Sequence, residues 1–276
     1  MSSSQINVKA KKRYGQNFLK DQKILKSIID CADLSKDIAV IEIGPGLGAL
    51  TELLCQNAGK VLAYEIDSSL IPLLEERLNG YDNYQILNQD ILKADLENDI
   101  ANYLKEFSKI YVVANLPYYI TTPIIMGLLS SNVPILKYVV MMQLEVADRI
   151  CGKPQTKDYN ALSVMVAYKA TAKKVLFVPR TSFVPAPNVD SAVVLLTAYD
   201  IPPFKALNDE VFNRLLRVAF TQRRKTIYNN LILEYDKEFV SQMLENLNYK
   251  KELRAEALTL TDFITMSDYI TQNQDI

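Results

Sequence analysis

Val40-Ile41-Glu42-Ile43 runs straight into Gly44-Pro45-Gly46-Leu47-Gly48, and Ala49-Leu50-Thr51-Glu52-Leu53-Leu54 continues with helical spacing. A buried strand, a glycine-rich turn and a helix in that order direct the chain into an open, mainly parallel α/β sheet, since parallel strands need a long crossover between them. The glycines let backbone approach a ligand closely, and the helix start points unpaired amides into the same space. The next apolar run, Val61 to Glu65, ends in an acid 21 residues after Gly44. A βαβ unit sets a carboxylate on ribose hydroxyls at that separation. A third run, Tyr84-Gln85-Ile86-Leu87-Asn88, is followed by Asp90, and a fourth, Ile110 to Ala114, ends in Asn115-Leu116-Pro117-Tyr118. Four strand ends thus carry glycines, an acid, an acid and an amide, and in a parallel sheet they share one crevice.

The glycine spacing is G-x-G-x-G rather than the G-x-G-x-x-G of dinucleotide sites, and Glu42 stands just before it. A carboxylate there disfavours a pyrophosphate and favours a cationic group, as in S-adenosylmethionine. Glu65 is then expected on the ribose and Asp90 on the adenine amine. A nicotinamide dehydrogenase would share the sheet, but Glu42 and the Asn-Leu-Pro-Tyr turn count against it. That turn suits a planar base with an exocyclic amine. Asn115 and the Leu116 carbonyl offer acceptors, Pro117 stiffens the corner and Tyr118 offers a flat face. An amine of this kind is methylated by positioning and electrostatic stabilisation.

Four segments together resemble the ribosomal RNA adenine N6-dimethyltransferase family: Gln16-Asn17-Phe18-Leu19-Lys20-Asp21, the glycine loop, Asn115-Leu116-Pro117-Tyr118, and Phe183-Val184-Pro185-Ala186-Pro187-Asn188-Val189-Asp190-Ser191. The tail, Leu216 to Thr226 with Arg254-Ala255-Glu256-Ala257-Leu258, is similar to the small-subunit branch, whose loss confers kasugamycin resistance. The resemblance implies a class I S-adenosylmethionine-dependent methyltransferase sheet with a small C-terminal all-α domain. It implies dimethylation of two adjacent adenosines near the 3′ end of 16S rRNA, within the small ribosomal subunit or its precursor. It also implies that Asn115, Leu116, Pro117, Tyr118 and Phe183 handle the base. The cofactor would fall to Gln16, Asn17, Leu19, Glu42, Gly44, Gly46, Gly48, Glu65, Ile66, Asp90, Ile91 and Asn115. The alternatives are a large-subunit (23S) methyltransferase of the erythromycin-resistance type and a mainly non-enzymatic assembly factor.

The 276 residues accommodate one large α/β domain, expected over 1–200, and a helical RNA-binding domain over 201–276, where Ile201-Pro202-Pro203 ends the alternating pattern. Histidine is absent and the three cysteines are scattered. Triads and histidine bases are therefore excluded, and no metal site is expected. A net charge of −1 does not announce an RNA binder, but the cations are clustered. Lys11, Lys12 and Arg13 form one group. Arg217, Arg223, Arg224 and Lys225 form another, with no acid between Arg214 and Lys225, and both are expected on RNA phosphates. The basic, acid-free first 20 residues mimic a transit peptide only weakly, because the family's entry motif begins at Gln16. No membrane-spanning run is seen, and a monomeric cytoplasmic protein is expected.

Overall fold

In the computed structural model, which describes residue 11 and residues 16–274, the chain follows the order β1 (Phe18–Leu19), α1 (Gln22–Ala32), β2 (Ile38–Ile43), α2 (Ala49–Asn57), β3 (Lys60–Tyr64), α3 (Ile71–Arg77), β4 (Tyr84–Leu87), α4 (Leu96–Tyr103), β5 (Lys109–Asn115), α5 (Thr121–Ser130), β6 (Ile135–Gln143), α6 (Leu144–Ile150), α7 (Ala161–Lys169), β7 (Ala170–Val178), β8 (Phe183–Val184) and β9 (Ser191–Ala198). Helices α8 (Asp209–Ala219), α9 (Ile227–Leu231), α10 (Lys237–Asn246) and α11 (Leu260–Asn273) complete it.

Seven strands form one sheet in the order β4-β3-β2-β5-β6-β9-β7. The pairs β3–β4, β2–β3, β2–β5 and β5–β6 are parallel. Every residue of β2 is buried, as a central strand covered on both faces requires. The registers Ile43 to Tyr64 and Tyr64 to Leu87 bring the ends of β2, β3 and β4 level, and Asn115 closes β5 opposite Met141. The chain reverses order between β2 and β5, so the crevice opens there. A separate two-stranded sheet pairs β1 antiparallel with β8, Phe18 facing Val184 and Leu19 facing Phe183.

Local chemistry explains the boundaries. Asp21 Oδ1 accepts from the amides of Lys23 and Ile24 and so caps α1. Ile120 stands at the cap position of α5 without a side-chain cap bond, and the Thr121 hydroxyl donates to the Pro117 carbonyl at 2.9 Å.

The described residues fall into two compact units, one reaching 147 and taken up again over 173–196, the other 148–172 with 197–274. A single cut at residue 200 misses the transfer of 148–172 to the helical unit. Helix α7 explains that transfer. Leu162 through Val166 are all buried, so the helix needs apolar cover on more than one side. Tyr168 packs on Phe212 with centroids 4.4 Å apart, and its hydroxyl donates to Asp209 at 2.6 Å.

Candidate functional site

The strand ends of the first unit surround a cavity of about 740 Å3, closed on another side by β1 and β8. The glycine loop supplies one wall. Gly46 has φ +60°, and its amide donates to Glu65 Oε2 at 3.0 Å. Glu65 Oε1 accepts from the Asp67 amide at 2.8 Å. Only 4% of Glu65 is exposed. Burial raises its pKa, while the Asp67 and Gly46 amides oppose the rise. Gly48, expected on the cofactor, does not line the cavity; at φ +78° it caps α2, and a Cβ there would lie 2.5 Å from Leu74 Cδ1. It is a turn glycine packed against α3.

Glu42 lines the floor and is 1% exposed, with no hydrogen-bond partner for Oε2 among the described residues. Burial pushes its carboxyl up to about 8. The nearby Thr51 hydroxyl opposes this without reaching full hydrogen-bond geometry, and the Glu65 charge adds to it. Between the ordinary value of 4.5 and about 8, the folded protein holds a proton that the unfolded chain has released. The stability attached to neutral Glu42 is therefore complete below about 4.5 and is lost as pH rises through 8. Glu42→Gln is accordingly expected to raise the melting temperature of the free protein more at pH about 8.5 than at pH about 5, by roughly several degrees. Melting curves at both pH values check this, and an equal shift at both would contradict it.

A strap joins the chain start to the turn after β3. Lys11 Nζ and Gln16 Nε2 donate to the two Asp67 oxygens at 2.8 and 3.0 Å. Burial would raise the Asp67 pKa, but donors from Lys11, Ser69 and Gln16 outweigh it and bring it to about 2. Lys11, expected on RNA, is thus engaged by the protein here, while Lys12 and Arg13 lie outside the described residues. Asn17, Leu19, Gly44, Ile66 and Ile91, all expected on the cofactor, line the cavity. Ile66 is 40% exposed, an apolar face suited to a planar ring. Asp90 is on the wall too, with Oδ1 capping the following turn at the Leu92 amide.

The Asn115 amide nitrogen donates to the Asn17 carbonyl at 3.4 Å, while Oδ1 is buried with no hydrogen-bond partner among the described residues. That contact assigns the two ends of the amide. The Leu116 amide donates to the Met141 carbonyl, and no backbone amide among the described residues donates to the Leu116 carbonyl. The Tyr118 hydroxyl shares a 2.6 Å hydrogen bond with Ser191, and its ring meets Phe183 edge-on at 6.5 Å. Phe183 departs from expectation. It is 2% exposed, belongs to the core and is absent from the cavity wall. Its β-strand partner Leu19 turns it inward, so Val184 and Pro185 face the cavity instead. Those two and Phe18, also on the wall, were missed because alternation along so short a strand gives no clear period.

The basic cluster of the second unit is less free than its sequence implies. Arg214 and Arg217 both pair with Glu234, at 3.0 and 3.1 Å. Arg223 pairs with Glu256 at 3.6 Å and donates to the Lys157 carbonyl. Arg224 and Lys225 are exposed and have no carboxylate partner among the described residues.

A family model described as ribosomal RNA adenine dimethylase matches residues 7–272. The chain belongs to that family. It is 48% identical over 267 residues to a ribosomal RNA small subunit methyltransferase A of Streptococcus thermophilus, covering 95% of this chain and 92% of the relative. A protein of that name from Streptococcus equi subsp. zooepidemicus is 49% identical with the same coverage. Among solved structures, a dimethyladenosine transferase from Plasmodium falciparum superposes with a TM-score of 0.76 at 28% identity, covering 92% of this chain and 98% of that one. The 23S rRNA methyltransferase ErmE gives 0.66 at 28% identity, covering 93% and 100%. The fold is that of a class I S-adenosylmethionine-dependent methyltransferase, and S-adenosylmethionine is the cofactor. The donor set fits it. A buried carboxyl group with an unpaired oxygen suits a cationic ligand, whose charge would favour the ionised form over the neutral one held in the free protein, and an exposed isoleucine beside acids at two strand ends suits a nucleoside.

Proposed function

We propose that this protein dimethylates N6 of two adjacent adenosines near the 3′ end of 16S rRNA in the small ribosomal subunit. The observation that carries the chemistry is the buried, unpartnered Asn115 Oδ1 at the cavity wall. A buried acceptor without a donor costs free energy unless a ligand supplies one. Identity of 48–49% to proteins named for the small subunit supports the choice of substrate over the large-subunit alternative. The complete acceptor set speaks against a purely non-enzymatic assembly role.

When bound, S-adenosylmethionine supplies an electrophilic methyl group on a sulfonium. Glu42 would face its cationic end, Glu65 would take its ribose and Asp90 its adenine amine. Asn115 Oδ1 and the Leu116 carbonyl accept the two hydrogens of the target amine. They thereby turn its lone pair, otherwise delocalised into the ring, toward the cofactor. Tyr118 gives the flipped base a face, anchored by Ser191 and backed edge-on by Phe183. Base–aromatic stacking of about 1–3 kcal/mol offsets part of the cost of flipping. No protein base is needed beforehand, since the nitrogen becomes acidic as its new bond forms. Offered unmethylated small and large subunits together, the protein should methylate the small ones. Preferential labelling of large subunits would overturn the branch.

Phosphate contact by the second unit rests on Arg224 and Lys225, with Arg217 and Arg223 partly engaged by Glu234 and Glu256. Arg224→Gln and Lys225→Gln are each expected to make the salt dependence of RNA binding shallower by about 0.7–0.9 without changing the melting temperature. Arg223→Gln should lower the melting temperature more and the slope less. Equal slopes for all three variants and wild type would remove the contact.

A further inference from the structure

The cavity has an apolar mouth that the chemistry above does not use. Tyr119 is 53% exposed and Val184 is 52% exposed; with Pro185, both line the cavity. They come from different elements, the turn after β5 and the strand β8, so their convergence is a property of the fold. Each adjoins a buried aromatic or its partner: Tyr119 follows Tyr118, and Val184 follows Phe183. Lys20 stands at the same mouth. It is exposed, lines the cavity and has no carboxylate partner among the described residues. Its amide donates to the Ser182 carbonyl at 2.9 Å, which ties it to the turn leading into β8. The nearest acid in sequence, Asp21, is occupied in capping α1 and in a 3.5 Å contact from Ser182.

An aromatic face beside a cation is the recurring unit of single-stranded nucleic-acid sites, one taking a base and the other its phosphate. An adenosine drawn out of its helix also leaves its neighbour without a stacking partner. We infer that the cavity mouth is a second nucleotide subsite, in which Tyr119, with Val184 and Pro185 beside it, takes the base adjoining the target adenosine and Lys20 takes a flanking phosphate. Tyr119 is then a positioning residue for RNA, separate from the inner wall that handles the reacting amine. This subsite rests on the reading of the substrate given above.

The test is steady-state methylation of unmethylated small subunits by the full chain, alongside S-adenosylmethionine affinity by calorimetry and melting temperature. Tyr119→Ala should raise KM for the subunit by about 5- to 150-fold, the range for loss of one base–aromatic stack, with cofactor affinity within about 2-fold. Tyr119→Phe should behave as wild type, because stacking needs the ring and not the hydroxyl. Lys20→Gln should make the salt dependence of subunit binding shallower by about 0.7, and Lys20→Arg should restore it. Three results would overturn the subsite: an unchanged KM in Tyr119→Ala, equal losses in Tyr119→Ala and Tyr119→Phe, or cofactor affinity falling in step with KM. Wild-type protein that leaves small subunits unmodified would overturn the functional reading, and the subsite with it. Wild-type activity with an unaffected Tyr119→Ala would overturn the subsite alone.

Discussion

Asn115→Ala is expected to lower kcat on small subunits by about 10²-fold or more, the cost of losing one acceptor that acts mainly on the reacting amine. Among the described residues its Oδ1 has no hydrogen-bond partner, and its amide nitrogen makes one contact, at 3.4 Å to the Asn17 carbonyl. Truncation therefore removes little that holds the fold together. The melting temperature should stay within a few degrees of wild type, and cofactor affinity should fall far less than kcat. Single-turnover methylation with calorimetric cofactor binding separates the two effects. Full activity in this variant would refute the role assigned to Asn115.

Gly46→Val is expected to reduce S-adenosylmethionine affinity by more than about 10²-fold. A β-branched residue at φ +60° is strained by roughly 1–3 kcal/mol. Its Cβ would also lie 3.2 Å from the Phe18 ring, a tight contact that the Phe18 side chain must shift to relieve. The Gly46 amide donates to Glu65, so a shift of the loop also releases the carboxylate assigned to the ribose. Gly48 provides the contrast. Gly48→Ala meets Leu74 outside the cavity, and should lower the melting temperature with a much smaller effect on affinity. Calorimetry on both variants checks this, and wild-type affinity in Gly46→Val would contradict it.

Much of the sheet was legible because β2, β3 and β5 are apolar runs ending in residues with distinctive chemistry. The line of Gly44, Glu65, Asp90 and Asn115 around one cavity follows from parallel register alone. The inward turn of Phe183 was not legible, since two residues of strand pairing with Leu19 decide its direction. The engagement of Arg223 was not legible either, because Glu256 comes from later in the chain to meet it; Glu234, closer in sequence to Arg217, is the readable case. The pairing of Lys11 was not legible for the same reason as that of Arg223: its partner, Asp67, is 56 residues away. Helix α7 is capped by Asn160, whose side chain accepts from the Leu162 amide. Its membership of the second unit depends on Phe212 and Asp209, which no local pattern reveals. Composition likewise could not place Tyr119 and Val184 together at one mouth.

The central claim is the identity of the product. Unmethylated small subunits treated with the protein and S-adenosylmethionine should yield N6,N6-dimethyladenosine at two adjacent positions near the 3′ end of 16S rRNA, as mapped by mass spectrometry of nuclease fragments. Methylation elsewhere in 16S rRNA, on large-subunit RNA, or no methylation at all would contradict it.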